Sequence, residues 1–253
     1  MKNAIVSFLL FISAGAMCFS QSDSQRIVYF NRFFESEKEL EYFTYYGVPK
    51  KIKGRLYEVT LYTLSDEKAA LGEYLGRRLK NRHGLFVLYN REGKIIVSAN
   101  YRKNILHGVY QRFHNNGFLS DSGYVSRGRN QGVWKTWFDN GNIREIKNYT
   151  IGRTWFGYQY SYLEKEYKSW FPNGRLDDSG YYKANNREGI WVDWIENGSI
   201  RSVGVYKRNW KRGTWRYYDT KGKLLYMRRF SSFRYDDVGV YVPLNRQNDP
   251  NRN

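Results

Sequence analysis

At 253 residues, 41% hydrophobic and 19% aromatic, the chain carries enough apolar mass to build a core, which excludes global disorder. A formal net charge of +18 points toward anionic partners and away from cationic ones. Tyr (24) dominates the aromatics, which favour strands, and 23 Gly with 4 Pro fit many short turns.

Residues 1–20 read as a cleavable export signal: Lys2 supplies the positive start, Ile5 to Ile12 a mostly apolar run too short to span a bilayer, and Ser20-Gln21 the cleavage point. The protein is expected to be secreted or periplasmic. Met17 is too bulky to precede a lipid-anchored Cys18, so lipoprotein anchoring is not expected, and cleavage after Ser20 removes the only cysteine. No later apolar run is long enough to cross a membrane.

Residues 21–58 are predicted to form an N-terminal cap. Arg26 to Phe34 reads as a strand, and Ser36 to Tyr46 as a short helix in which Ser36 and Glu39 have capping-box spacing.

From 59 to 237 one unit recurs, mostly every 24 residues. It starts at Gly84, Gly108, Gly132, Gly189 and Gly213, with a degenerate copy over Val59 to His83. The first half of the unit places aromatics three apart: Trp134 and Trp137, Tyr167 and Trp170, Trp191 and Trp194, Trp215 and Tyr218. A polar turn ending in Gly141, Gly174, Gly198 or Gly222 follows, then an aliphatic residue and a Gly-Tyr step such as Gly123-Tyr124 or Gly180-Tyr181. Asn-Gly between apolar runs is a hairpin signal because both residues tolerate positive φ. The unit is therefore a β-hairpin, and the fold an all-β, elongated antiparallel meander of about six hairpins. An isolated hairpin is marginal in water, so neighbours must stack. Aromatics three apart point to opposite faces of a regular strand, so either both faces are aromatic or a bulge realigns them. A nine-residue insertion between Gly141 and Gly174, holding Gly157 to Tyr162, is a longer loop or an extended hairpin. Residues 238–253 form a tail, polar from Asn245 onward, and open edge strands allow self-association.

The run Tyr124-x-x-x-Gly128-x-x-x-Gly132-x-Trp134, with Asn140-Gly141 after it, resembles the MORN repeat, and is closer to the variant of bacterial YwqK-type antitoxin proteins. His83-Gly84 and His107-Gly108 match a step common in such repeats. The resemblance covers Val59 to Phe230. It implies non-catalytic roles: scaffolding, proximity to membrane lipid, or neutralisation of a toxin. The export signal does not suit an intracellular antitoxin.

Reactive motifs are absent from the sequence: no HExxH, CxxC, GxSxG or phosphate-cradling loop occurs. His83 and His107 share a repeat slot filled elsewhere by Gln131, Glu188 and Arg212, which speaks for a turn position and against a metal site. Asp177-Asp178 and Asp236-Asp237 are adjacent pairs whose side chains point apart in a strand. No enzyme, cofactor, metal or nucleic-acid partner is expected. Charge is more informative. Gly-ending turns carry Glu92, Asp139, Glu196 and Asp219, while the other connections carry Arg77, Arg78, Arg102, Lys103, Arg127, Arg129, Lys207, Arg208, Lys211 and Arg212. In a meander these two turn classes fall on opposite edges. The expected function is an exported interaction module whose basic edge meets a protein or an anionic lipid or glycan surface. Carbohydrate stacking on exposed Trp is an alternative, although the repeated Trp slots suit packing better.

Overall fold

The computed structural model describes residues 26–36, 44–230 and 240–243. They form an all-β sheet of 18 strands, with no helix among the described residues. The strands are β1 (Val28–Phe30), β2 (Tyr45–Lys53), β3 (Leu56–Thr63), β4 (Lys68–Leu75), β5 (Asn81–Tyr89) and β6 (Ile95–Arg102). Next come β7 (Ile105–Phe113), β8 (Leu119–Ser126), β9 (Arg129–Trp137), β10 (Ile143–Arg153), β11 (Gln159–Leu163) and β12 (Lys165–Trp170). The last are β13 (Leu176–Lys183), β14 (Asn186–Trp194), β15 (Ile200–Lys207), β16 (Trp210–Tyr218), β17 (Leu224–Phe230) and β18 (Val240–Pro243). Each strand pairs antiparallel with the next in sequence, except that β11 and β12 take turns along the same side of β10.

The array is longer than six hairpins and begins upstream of Val59, because β2 and β3 already form a hairpin. Tyr45 and Tyr46 open β2 instead of closing a helix, and Ser36 bridges Phe30; residues 37–43 lie outside the described residues. The first strand is shorter than expected. Asn31 ends it by folding a turn in which its Oδ1 accepts Phe33 N (2.9 Å) and Glu35 N (3.2 Å). Residues 240–243, expected in the tail, pair with β17. The expected signal segment and the polar stretch from Asn245 lie outside the described residues.

Two turn types alternate along the meander. On one edge the turns span five residues, as in Phe138–Asn142, where Phe138 N donates to Asn142 O (2.9 Å) and Gly141 N to Phe138 O (3.0 Å). Gly141 alone has positive φ (86°); Asn140 does not. This is a type I turn closed by a left-handed glycine, not the two-residue turn that Asn-Gly suggests. The asparagine is there for its side chain. Asn140 Oδ1 accepts Asn142 N (3.0 Å) while its Nδ2 donates to Pro172 O of the next turn on that edge (2.8 Å). Asn116, Asn173 and Asn197 repeat this reach to Asp139 O, Glu196 O and Thr220 O. An asparagine ladder thus ties that edge together.

The two-residue turns with both residues at positive φ lie on the other edge, at Lys103-Asn104, Arg127-Gly128, Ala184-Asn185 and Arg208-Asn209. There too asparagines bridge: Asn104, Asn185 and Asn209 Oδ1 accept Arg82 N, Leu163 N and Arg187 N at 2.6–2.7 Å.

The leading glycine of each unit lies inside a strand, not in a turn. Gly189 sits at φ 72° where β14 carries extra residues against β13. Tyr181 pairs with Glu188, but Ser179 pairs with Val192, so the register slides by two residues. The slide brings Trp191 opposite Gly180, and the same bulge brings Trp215 opposite Gly204 and Trp134 opposite Gly123. Each indole lies flat on the bare glycine. A Cβ on Gly180, Gly204 or Gly123 would fall 2.2–2.3 Å from indole carbons. Each indole N–H then donates to the carbonyl after that glycine: Trp191 to Tyr181 O (3.3 Å), Trp215 to Val205 O (3.2 Å), Trp134 to Tyr124 O (3.2 Å).

Neighbouring rings close over the seats. Trp191 meets Tyr167, Tyr182 and Tyr206 at 5.2–5.9 Å between centroids, and Trp215 meets Tyr206 at 5.0 Å and Phe230 at 6.4 Å. Trp191 and Trp215 are fully buried in what is otherwise a single-layer sheet. The register from Trp191 to Asp193 is unbroken against Gly204 to Ser202, so Trp191 and Trp194 point to opposite faces. One bulge serves the Trp–Gly seat; a second register shift, between Asp193 and Trp194, puts its extra residue on β15 and leaves the alternation along β14 intact. At the N-terminal end Val28, Phe30, Val59, Leu61, Tyr74 and Phe86 form a denser core.

Candidate interaction surface along the basic edge

Strand alternation puts all ten basic residues of the connections on the edge of the two-residue turns. Arg77 and Arg78 lie between β4 and β5, Arg102 and Lys103 between β6 and β7, Arg127 and Arg129 around the β8–β9 turn, and Lys207 to Arg212 around the β15–β16 turn. They do not share one state. Arg77, Arg78, Arg102, Lys103, Arg127, Lys207 and Arg208 are exposed, whereas Arg129, Lys211 and Arg212 are half-buried. Arg129 is held within the fold, donating through Nε to Gln159 O and through Nη1 to Arg127 O (2.9 Å). Lys211 Nζ sits 4.1 Å from the centre of the Trp215 indole. Arg187 caps Trp191 at 4.3 Å in the same way, and Arg82 caps Tyr101 at 4.3 Å. Arg82, Arg187 and Lys211 all stand two residues before a leading glycine; Lys211 was expected on the free basic edge, but this slot lays its cation on a ring. A cation desolvated on an aromatic face is structural, worth roughly 0.5–2 kcal/mol.

The opposite edge carries exposed Glu92, Asp139 and Glu196, but Lys94 pairs with Glu92 at 2.9 Å, and Asp219 accepts Lys221 N and Lys223 N of its own turn. Glu92 is thus neutralised by Lys94, while the amides at Asp219 fix its turn and leave its charge in place. The two-residue turns of the basic edge contain no carboxylate, although Glu164 Oε2 accepts Ala184 N (2.8 Å) and Glu188 Oε2 accepts Arg208 N (2.9 Å) beside them.

The histidines serve local structure where their partners are visible. His114 Nε2 lies 3.0 Å from Trp137 O, and His107 stacks edge-on against Tyr124 with Nδ1 near Arg127 N. No group of three or more metal-ligating side chains occurs among the described residues.

Between the Trp row and the five-residue turns runs a polar row that sequence reading missed. Asp121, Thr136, Glu145, Ser169, Asp178, Asp193 and Ser202 pair in succession across the sheet. Most of its carboxylates have partners: Asp121 binds Arg112 (2.9 Å), and Glu145 binds Lys147 (2.7 Å) and Tyr167 Oη (2.9 Å). Burial would raise the Asp121 carboxyl, but hydrogen bonds from Arg112 and Ser120 outweigh it and hold it below the usual range. Asp178 and Asp193 instead face each other. Ser202 Oγ donates to Asp193, while Asp178 Oδ1 is buried without a donor. Burial first, then the shared hydrogen bond and charge of Asp193, push the Asp178 carboxyl up to about 7. The pair therefore keeps a proton where ordinary carboxylates have lost theirs.

Residues 130–150 match the family model described as the MORN repeat variant. The match covers β9 from its second residue, the five-residue turn with its asparagine, and β10 through Thr150. It thus covers one full MORN-variant unit, the hairpin whose Trp134 sits on Gly123. No curated protein matches the chain. Trp191 on Gly180 and Trp215 on Gly204, each after a glycine at positive φ (Gly189 and Gly213), repeat the seat of that unit, and Phe86 lies on Gly72 after Gly84 in the same way.

Proposed function

We propose that this protein is an exported, non-catalytic repeat module that docks through its basic edge onto an anionic envelope surface. The observation that carries the reading is the segregation of charge. Exposed Lys103, Arg127, Lys207 and Arg208 line up on one edge of a rigid ribbon, while the turns of the other edge carry Glu92, Asp139, Glu196 and Asp219, of which Glu92 is paired with Lys94. A line of like charge on a stiff scaffold raises local potential and favours extended anionic partners over small ligands. The MORN-variant unit supports a module of this kind. A protein partner, including a toxin, is the second reading. It is favoured by exposed Leu85, Val109, Val133 and Ile190, each directly after a leading glycine.

The edge is tested by Lys103→Glu, Arg127→Glu, Lys207→Glu and Arg208→Glu together. These side chains are exposed, so melting is expected to stay within a few degrees of wild type. Retention on heparin and on phosphatidylglycerol vesicles is expected to fall by about tenfold or more at physiological salt. Unchanged retention on both would reject the anionic-surface reading and leave the protein-partner one.

A further inference from the structure

The nine-residue insertion is an extended hairpin, and its tip departs from every other turn. Strand β10 continues four residues past Tyr149, its last partner on β9, and pairs there with β11 alone. At the usual strand rise those four residues add roughly 13 Å. Ser161 Oγ to Asn130 O (2.8 Å) and the Arg129 guanidinium on Gln159 O brace the hairpin against the start of β9. The turn, Thr154–Tyr158, has the five-residue hydrogen bonding of the opposite edge: Thr154 N to Tyr158 O (2.8 Å) and Gly157 N to Thr154 O (2.9 Å). Here, however, it stands on the basic edge.

The two central positions hold Asp-Asn in Phe138–Asn142 and Glu-Asn in Ile195–Ser199. In this turn they hold Trp155 and Phe156. Trp155 is 88% exposed, Phe156 70% and Tyr158 73%, and among the described residues the first two rings pack on each other, at 4.1 Å. Folding gains little from three large aromatics left in water, so their use lies in what they meet. From Thr154 to Gln159 no residue is charged, and Thr154, Gly157 and Tyr158 close the turn with their own hydrogen bonds, Thr154 Oγ1 also accepting Tyr158 N (3.1 Å). A tip that is apolar, internally hydrogen-bonded and flanked by Arg153, Arg127 and Arg129 has the chemistry of the boundary between headgroups and acyl chains.

We propose that the β10–β11 hairpin is a bilayer anchor, whose Trp155, Phe156 and Tyr158 seat at the headgroup–acyl boundary of a membrane containing anionic lipid. This rests on the basic-edge reading, since the edge lies on the headgroups while the tip enters. A tryptophan signal read in a Trp210→Phe background isolates the tip, because Trp210 on the basic edge is itself 52% exposed and all eight Trp lie between 134 and 215, away from the apolar N-terminal segment.

The test adds the full chain, in that background, to phosphatidylcholine vesicles, with or without phosphatidylglycerol, brominated on their acyl chains. On the anionic vesicles, tryptophan fluorescence is expected to be quenched, and Trp155→Phe to abolish that quenching. Phe156→Ser with Tyr158→Ser keeps the reporter and is expected to weaken the quenching midpoint by about tenfold with melting unchanged. Quenching that persists in Trp155→Phe would overturn the anchor, as would a midpoint unmoved by the double change. Heparin retention without any quenching on vesicles would overturn the anchor and leave the basic edge standing. Loss of heparin retention with Trp155-dependent quenching intact would do the reverse. A Trp155 open to iodide on vesicles but shielded by a protein partner would assign the tip to a protein pocket instead.

Discussion

Gly180→Ala is expected to destabilise the protein by about 3 kcal/mol, the upper end of what an added methyl costs in a packed site. Gly180 does not have positive φ, so alanine meets no backbone penalty there. The cost is steric. A methyl at that point lies 2.2 Å from Trp191 Cδ2 and Cε2, and the indole is held down by three tyrosines, by Arg187 and by its N–H bond to Tyr181 O. Nothing in that arrangement is a flexible end that can swing aside. Trp191→Ala alone should cost a similar amount through the cavity it leaves. The pair together should cost much less than the two added, because once the indole is gone the methyl has room. Chemical denaturation of the four proteins measures this. A Gly180→Ala protein within about 1 kcal/mol of wild type, or full additivity, would show that the glycine seat does not hold the sheet.

Raising the pH is expected to cost stability through Asp178. Its folded pKa, about 7, stands above the ordinary carboxylate value of 3.8. Between those two values the unfolded chain has released a proton that the folded pair still holds, so stability falls as pH rises across that window and levels off above it. Below the lower value the contribution is fully present. Asp178→Asn keeps a hydrogen-bond donor toward Asp193 without the second charge. It should therefore match wild type near pH 4 and exceed it by about 1–2 kcal/mol at pH 8, after allowing for solvent screening of a half-exposed pair. Melting curves of both proteins from pH 4 to 8 measure the difference. A constant gap across the range would mean that the two carboxyls do not share a proton.

Both effects turn on the feature that sequence alone conveyed least. The hairpin period, the strand class and the aromatic slots were legible because Trp191, Asn197 and Gly198 recur in register with Trp134, Asn140 and Gly141. What Gly189 does was not. Simple counting back from the Ala184-Asn185 turn pairs Asp178 with Trp191; the bulge at Gly189 slides that pairing by two and sets Asp178 against Asp193 and Gly180 against Trp191. A register shift inside a strand leaves no mark on periodicity, so the carboxyl pair and the indole seat stayed hidden. The asparagines were legible as turn residues, but for the wrong reason. In the five-residue turns they carry a side-chain ladder, and positive φ at asparagine belongs to the two-residue turns of the other edge. The basic residues were legible as an edge but not as two groups, because Arg129 is held by Gln159 two strands away and Lys211 lies on the Trp215 ring of its own strand.

The sheet depends on indoles seated on glycines along a single ribbon, with one aromatic tip left outside it. Hydrogen exchange of the indole N–H groups, followed by NMR, tests this directly. Protection is expected for Trp134, Trp191 and Trp215, which donate to backbone carbonyls, while the Trp155 N–H should exchange at the rate of free indole. Equal, fast exchange at all four would contradict the seated sheet, and a protected Trp155 in the isolated protein would contradict the exposed tip.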